Sequence, residues 1–472
     1  MRYSALMTDL YELTMLAGYL EEEMQDKPAS FDLYFRNIPF NGSYAVFAGL
    51  EPALRYVEQL AFGDEDLAYL NSLGIFKPRF LDYLRNFRFR GKITAPPEGT
   101  VVFANEPLLT VEGSLSEAQL LETALLNMIN FQTLIATKAA RIQQAAGDGV
   151  VLEFGLRRAH GPDGALGEAR AAFVGGVRST SNVWAGQQYG IPVKGTHAHS
   201  WIMAFGDELK AFRAYAEVFP DECILLVDTY DTLKSGIPNA LTVAGELRNK
   251  GHELKGVRLD SGDLSYLSKE ARRIFDAGGF PAVKIVASNE LDEYVINAIR
   301  NEGGRIDIYG VGTRLATAGG EGGGALGGVY KLVRFAGEPR LKVTSDIAKA
   351  TLPDRKSLQR LIDGDGRFVQ DVICREGETL AAGATVYDPT NPSRRKKVPE
   401  GVRCEDIRGV VMDGGAIVGA LPDLEACADR CADQLRSLPD GTLRLYNPHR
   451  YKVSISPDLH DLREQLMARY EF

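Results

Sequence analysis

The 472 residues carry 45% hydrophobic and 25% charged side chains and a formal net charge of −9. These are the proportions of an ordinary soluble chain with room for two or three domains. The acidic balance argues against a general nucleic-acid binder, which needs a basic surface, but leaves room for a locally positive site that takes an anionic substrate. No apolar run approaches the roughly 20 residues of a membrane helix, and the opening MRYSALMTDLYELTM has no secretory apolar stretch. The expected setting is therefore cytoplasmic, with no membrane partner. Cys223, Cys374, Cys404, Cys427 and Cys431 are odd in number and form no CxxC pair, which excludes a disulfide framework. A C-terminal metal knuckle would fit their spacings poorly.

In chain order, Asp9–Glu22 is predicted to be helical, with Leu10, Leu13, Thr14, Ala17 and Leu20 on one face. Ala29–Phe35 alternates as a strand would, and short strands are predicted at Val101–Ala104 and Leu108–Val111. Ser114–Gly147 is predicted as one long helical stretch with Ser116 as its cap. Apolar, β-branched runs then follow at Val150–Phe154, Ile191–Lys194, Ile224–Val227, Gly256–Leu259, Val283–Ala287 and Ile306–Tyr309. Helical segments such as Ala240–Lys250, Tyr266–Ala277 and Glu290–Asn301 lie between most of them. This alternation predicts βαβ units and a parallel sheet. Beyond residue 340 the periodicity weakens: Arg340–Thr351 mixes charged and apolar residues, Asp388–Lys397 is a proline- and charge-rich loop, and Asp423–Arg436 is helical in pattern.

Each predicted strand is followed by chemistry. In order, the segments are FGLRRAHG, GTHAHSW, DTYD, DSGDL, SNEL and GVGT. Barrels and open α/β sheets both build their sites past the carboxyl ends of parallel strands. Because the polar residues come from at least five strand ends, a (β/α) barrel is the preferred expectation over a single-crevice sheet.

Each cluster admits more than one role. His197 and His199 could be a metal pair, a covalent carrier or two structural histidines. Arg157 and Arg158 suit bidentate phosphate recognition, or a surface ion-pair cluster with Asp163 or Glu168. Asp228, Asp231, Asp260 and Asp263 could hold Mg2+, bond ribose hydroxyls or stabilise an oxocarbenium-like state. Asp231, Ser261 and Asp263 could equally cap helices. Gly310-Val311-Gly312-Thr313 offers bare backbone N–H groups to a phosphate, or is simply a tight turn.

Taken together and in order, TDLYELTM (8–15), EFGLRRAHGPDGA (153–165), GTHAHSW (195–201), DTYDT (228–232), GVRLDSGDL (256–264), GVGT (310–313), GGVYKL (327–332) and NPHRYKVSIS (447–456) resemble the nicotinate phosphoribosyltransferase family. The resemblance spans almost the whole chain. It implies a type II phosphoribosyltransferase: an irregular, TIM-like (β/α) barrel over residues 114–340, packed on an α/β domain formed by residues 1–113 and completed by 341–472. The reaction implied joins nicotinate to phosphoribosyl pyrophosphate, coupled to ATP hydrolysis, with Mg2+ as the ion and a homodimer with shared active sites. The resemblance makes His199 the phosphorylated histidine and sets Tyr11, from the partner subunit, and Phe154 on the pyridine ring. It assigns Thr196 and Arg258 to nicotinate, and Asp9, Arg157, Gly310, Gly312 and Thr313 to phosphoribosyl pyrophosphate. Asp228 and Asp260 become the ribose and magnesium carboxylates, and His197 a supporting residue. An arginine facing the carboxylate would separate nicotinate from nicotinamide. The rivals are a nicotinamide-specific enzyme, a metal-dependent barrel hydrolase using His197 and His199, and a barrel that only binds its ligand.

Overall fold

The computed structural model describes residues 3–343 and 350–470. The chain divides into two compact units, Met1–Leu134 with Ala325–Phe472, and Ile135–Gly324.

The second unit is built on a parallel sheet. Its strands lie in the order Val150–Glu153, Ile308–Val311, Lys284–Ala287, Gly256–Leu259, Ile224–Leu226, and every pairing is parallel. Leu225, Val257, Leu259, Ile285, Val286 and Val311 are buried: both faces of the sheet are covered, so its strands are apolar on both sides. The helices Ile237–Asn249, Leu264–Ala277 and Glu293–Asn301 lie between consecutive strands. Asp263 caps the second, accepting from Tyr266 N at 2.9 Å, and Asp231 accepts from Leu233 N and Lys234 N at 3.2 and 2.9 Å.

A closed barrel is not found. Past the Val150–Glu153 edge the sheet continues only as single bridges, Glu153 to Thr180 and Thr180 to Val193. The predicted Ile191–Lys194 strand thus contributes one bridging residue, and among the described residues no backbone ladder joins it to Ile224–Leu226. A side chain is found there instead: Leu226 N donates to His197 Nε2 at 3.2 Å.

The first unit is mostly antiparallel. Its seven-stranded sheet sets Gly328–Phe335 beside Pro28–Phe35, then Leu109–Ser114, Lys92–Ala95 and Gly409–Asp413. Strands from both ends of the chain therefore share one sheet. A six-stranded sheet lies wholly in the later chain, Lys356–Ile362 and Phe368–Arg375 among its strands. The predicted single helix after residue 114 is two, Leu115–Gln119 and Glu122–Ala146, and the cap is Ser114, whose hydroxyl accepts from Glu117 N at 3.3 Å. Ser116 is buried inside the first of them. Of the mixed stretch Arg340–Thr351, residues 344–349 lie outside the described residues.

Candidate active site

All strands of a parallel sheet end on one edge, and here that edge carries the titratable residues. His199 opens the helix His199–Phe205. Its Nε2 stands 3.5 Å from Asp260 Oδ2 and 3.9 Å from Asp228 Oδ1, and its Nδ1 lies 3.2 Å from Thr229 Oγ1. Two carboxylate oxygens beside Nε2 favour a proton on that nitrogen, which leaves Nδ1 with the lone pair. Asp228 Oδ2 accepts from Asp260 N at 2.8 Å and from Ser261 Oγ at 2.6 Å. Ser288 Oγ donates to Asp260 Oδ1. Among the described residues Asp228 Oδ1 is buried with no hydrogen-bond donor, and this unsatisfied oxygen suits a cation or a substrate hydroxyl. The turn behind it is tight: a Cβ on Gly236 would stand 1.8 Å from Val227 O.

His197 does something different from its neighbour. Its Nε2 accepts the Leu226 N–H, so the ring proton sits on Nδ1, 3.4 Å from Ala198 O. Burial, ahead of the charges of Arg258 and His199, lowers its pKa to about 4, although the Ala198 carbonyl pulls the other way. With both nitrogens engaged and the ring edge-on to Tyr215 at 4.6 Å, His197 is not a metal ligand. It pins the loop that carries Thr196 and His199, and the HxH metal pair is not formed.

Arg258 lies in the neighbouring strand, Gly256–Leu259. Its Nη1 donates to Thr196 Oγ1 at 2.5 Å, while Nε is buried without a partner. Burial lowers its pKa, against the raising effect of Asp260 and Asp228, and Arg157 acts on it as well. Arg258, Arg157 and the two aspartates thus feel one another's charge. Arg157 and Arg158 lie exposed in the turn Leu156–Arg158. Glu168, offered by sequence as a surface partner for them, is fully buried and is no surface ion-pair partner.

Phe154 follows the Val150 strand, its N–H bonded to Val311 O at 2.8 Å. Its ring lies over Gly310, where a Cβ would come within 2.5 Å of it, and its carbonyl lies 3.1 Å from a Cβ position on Gly312. A Cβ at Gly310 would displace the ring, and one at Gly312 would press on the Phe154 carbonyl. Gly312 caps the short helix Thr313–Ala316, so Thr313 lies at the same edge as Phe154 and Arg157. His199, Asp228, Asp260, Arg258, Thr196, Phe154, Arg157, Gly310, Gly312 and Thr313 are all brought to this edge.

Tyr11 and Asp9 belong to the first unit. Tyr11 is 44% exposed at the start of the helix Leu10–Glu21. Thr123 fixes the residues on either side of it: its hydroxyl donates to Asp9 Oδ2 and its N–H to Glu12 Oε1, both at 2.7 Å. Sequence reasoning passed over Thr229 and Ser288, and gave Ser261 only a capping role. They stand inside DTYD, DSGDL and SNEL, where a hydroxyl beside a strand-end aspartate was the available signal.

Among the described residues no group of three or more His, Cys, Asp or Glu side chains converges as a metal cage. Two carboxylates, Asp228 and Asp260, do converge, and Mg2+ is commonly held by one or two carboxylates with substrate phosphate completing its shell. An imidazole, two carboxylates, two arginines and a glycine-rich strand end at one sheet edge define an α/β group-transfer enzyme acting on phosphorylated substrates. Three family models cover the chain: the nicotinate phosphoribosyltransferase N-terminal domain over residues 6–130, the nicotinate phosphoribosyltransferase family over 150–363 and its C-terminal domain over 355–463. The chain belongs to the nicotinate phosphoribosyltransferase family and is an enzyme of NAD biosynthesis. A relative from Bacillus subtilis named nicotinate phosphoribosyltransferase is 43% identical over 99% of this chain and 97% of its own. One of the same name from Dictyostelium discoideum is 37% identical over 98% and 88%. The crystal structure of human nicotinic acid phosphoribosyltransferase matches with a TM-score of 0.86 at 34% identity, covering 97% of this chain and 99% of that one.

Proposed function

We propose that the strand-end site joins nicotinate to phosphoribosyl pyrophosphate, giving nicotinate mononucleotide and pyrophosphate. The pyridine nitrogen forms a bond to the anomeric carbon while the bond from that carbon to pyrophosphate breaks. Asp228 and Asp260 stabilise the positive charge that develops on the sugar. Arg157 and the Gly310–Thr313 strand end receive the phosphoribosyl pyrophosphate. Phe154 takes one face of the pyridine ring, and Tyr11 of the partner subunit in a homodimer takes the other. Thr196 orients Arg258, whose guanidinium meets the carboxylate. The open sheet, continued by the Thr180 and Val193 bridges, is an irregular (β/α) barrel whose last gap is spanned by His197.

ATP enters through His199. Nδ1 attacks the γ-phosphorus, the bond to ADP breaks, and the phosphoryl group is later lost to water. The added negative charge, on the Thr229 side of the ring and close to the pyrophosphate, can reorder the loop. Mg2+ would be held by Asp228 and Asp260 and would offset the charge of the pyrophosphate; the unsatisfied oxygen of Asp228 fits that role.

The observation that carries this reading is the convergence of His199 on Asp228 and Asp260 within 3.9 Å, with Arg258 beside them. A competition assay between nicotinate and nicotinamide tests it. Wild-type enzyme is expected to prefer nicotinate, and Arg258→Gln to raise the nicotinate KM about tenfold or more, the cost of losing a charge-assisted bond. Equal use of the two bases by the wild type would remove Arg258 as the carboxylate partner.

A further inference from the structure

Beneath the Phe154–Arg158 loop two acids are sealed together. Glu153 ends the Val150 strand and Glu168 lies on the helix Gly161–Val174; both are buried. Glu153 accepts the Gly155 N–H on one oxygen and the Thr180 hydroxyl on the other. Neither carboxylate oxygen of Glu168 has a hydrogen-bond partner among the described residues. Both acids crowd one side of Gly155: a Cβ there would stand 2.9 Å from an oxygen of Glu153 and 3.2 Å from one of Glu168. Two carboxylates so placed cannot both be charged. Burial first, then the charge of Glu153, raise the Glu168 pKa well above the usual carboxylate range. A proton on Glu168 bridging to Glu153 satisfies both acids.

Thr180 carries the contact further. Its N–H donates to Pro192 O at 3.0 Å, its carbonyl accepts from Lys194 N at 2.9 Å, and Ser181 N bonds Glu153 O at 2.9 Å. One carboxylate thus ties the loop of Phe154 and Arg157 to the segment that leads to Thr196 and His199.

We propose that Glu153 and Glu168 form a hydrogen-bonded positioning pair for the transfer reaction, holding the Phe154–Arg158 loop and, through Thr180, the segment leading to His199. This rests on the placement of nicotinate at Phe154 and of phosphate at Arg157 given above. Neither acid reaches the reacting atoms; their effect is on where the substrates sit.

Steady-state kinetics of Glu168→Ala, Glu168→Gln and Phe154→Ala test it. Alanine leaves Glu153 short of a buried donor, so the KM values for nicotinate and phosphoribosyl pyrophosphate are expected to rise about tenfold, with kcat changed less than about threefold. Glutamine keeps an N–H for Glu153 and is expected to hold both KM values within about twofold of wild type. Unchanged KM values in Glu168→Ala overturn the proposal. So does a loss confined to kcat, or a glutamine variant as impaired as the alanine one. If Glu168→Ala does not fold, Glu168→Met fills the volume without the donor and carries the same expectation. Phe154→Ala separates this inference from the reading beneath it. An unchanged nicotinate KM there defeats both, whereas a raised one alongside an unaffected Glu168→Ala defeats the positioning pair alone.

Discussion

The second unit holds two pairs of acids that do opposite work. Asp228 and Asp260, at the rim, take their donors from Ser261, Ser288 and the Asp260 N–H, and leave an oxygen each toward His199. Glu153 and Glu168, on the floor, are shut away from solvent; Glu153 spends its bonding on Gly155 and Thr180, and both acids crowd Gly155. The difference lies in what surrounds each pair. Supplied with neutral donors and faced by an imidazole, carboxylates can act on a substrate; sealed against each other, they become a fastener.

The largest effect is expected at the rim. His199→Asn should abolish ATP-dependent phosphorylation of the protein and most of the stimulation by ATP. Undiminished acid-labile phosphate on that variant would place the phosphoryl group elsewhere. On the floor, the effect is on stability and its sign follows from linkage. An unfolded Glu168 loses its proton near pH 4.3, whereas burial raises the folded pKa well above that. Between the two values the folded state binds more protons, so stability falls as pH rises through that window. Glu168→Gln cannot ionise and should lose that slope, its Tm gaining on wild type as pH rises. Parallel Tm–pH curves for the two proteins would contradict the shared proton. The smallest effect is expected outside both pairs, at Tyr11. Removing one stacking face costs about 0.5–1.5 kcal/mol, so Tyr11→Ala should weaken nicotinate binding by about twofold to tenfold. Unchanged affinity would take Tyr11 off the ring.

What could be read from the sequence follows the same division between open and hidden. The parallel strands were legible because strands buried on both faces are continuous apolar runs; Gly256–Leu259 is found with the bounds its pattern gives. The polar segments after those strands were legible because loops at strand ends are where such sheets keep their chemistry. The later β-structure was not legible. Arg360 and Asp371 are buried as a 2.6 Å ion pair in neighbouring strands, so charge sits where an apolar alternation would be expected. Gly328–Phe335 pairs with Pro28–Phe35 from the far end of the chain, and such register has no local signal. Glu168 was misjudged for a related reason: in GPDGALGEAR a glutamate looks solvated, and only the fold reveals a second carboxyl over it.

The most direct measurement is nicotinate mononucleotide formation from nicotinate and phosphoribosyl pyrophosphate, with and without ATP, by the wild-type enzyme. Product in both conditions, at a higher rate or lower KM when ATP is present, is the result expected of a strand-end site whose His199 can be phosphorylated. No product in either condition would contradict the account, and equal rates with and without ATP would strip His199 of its carrier role.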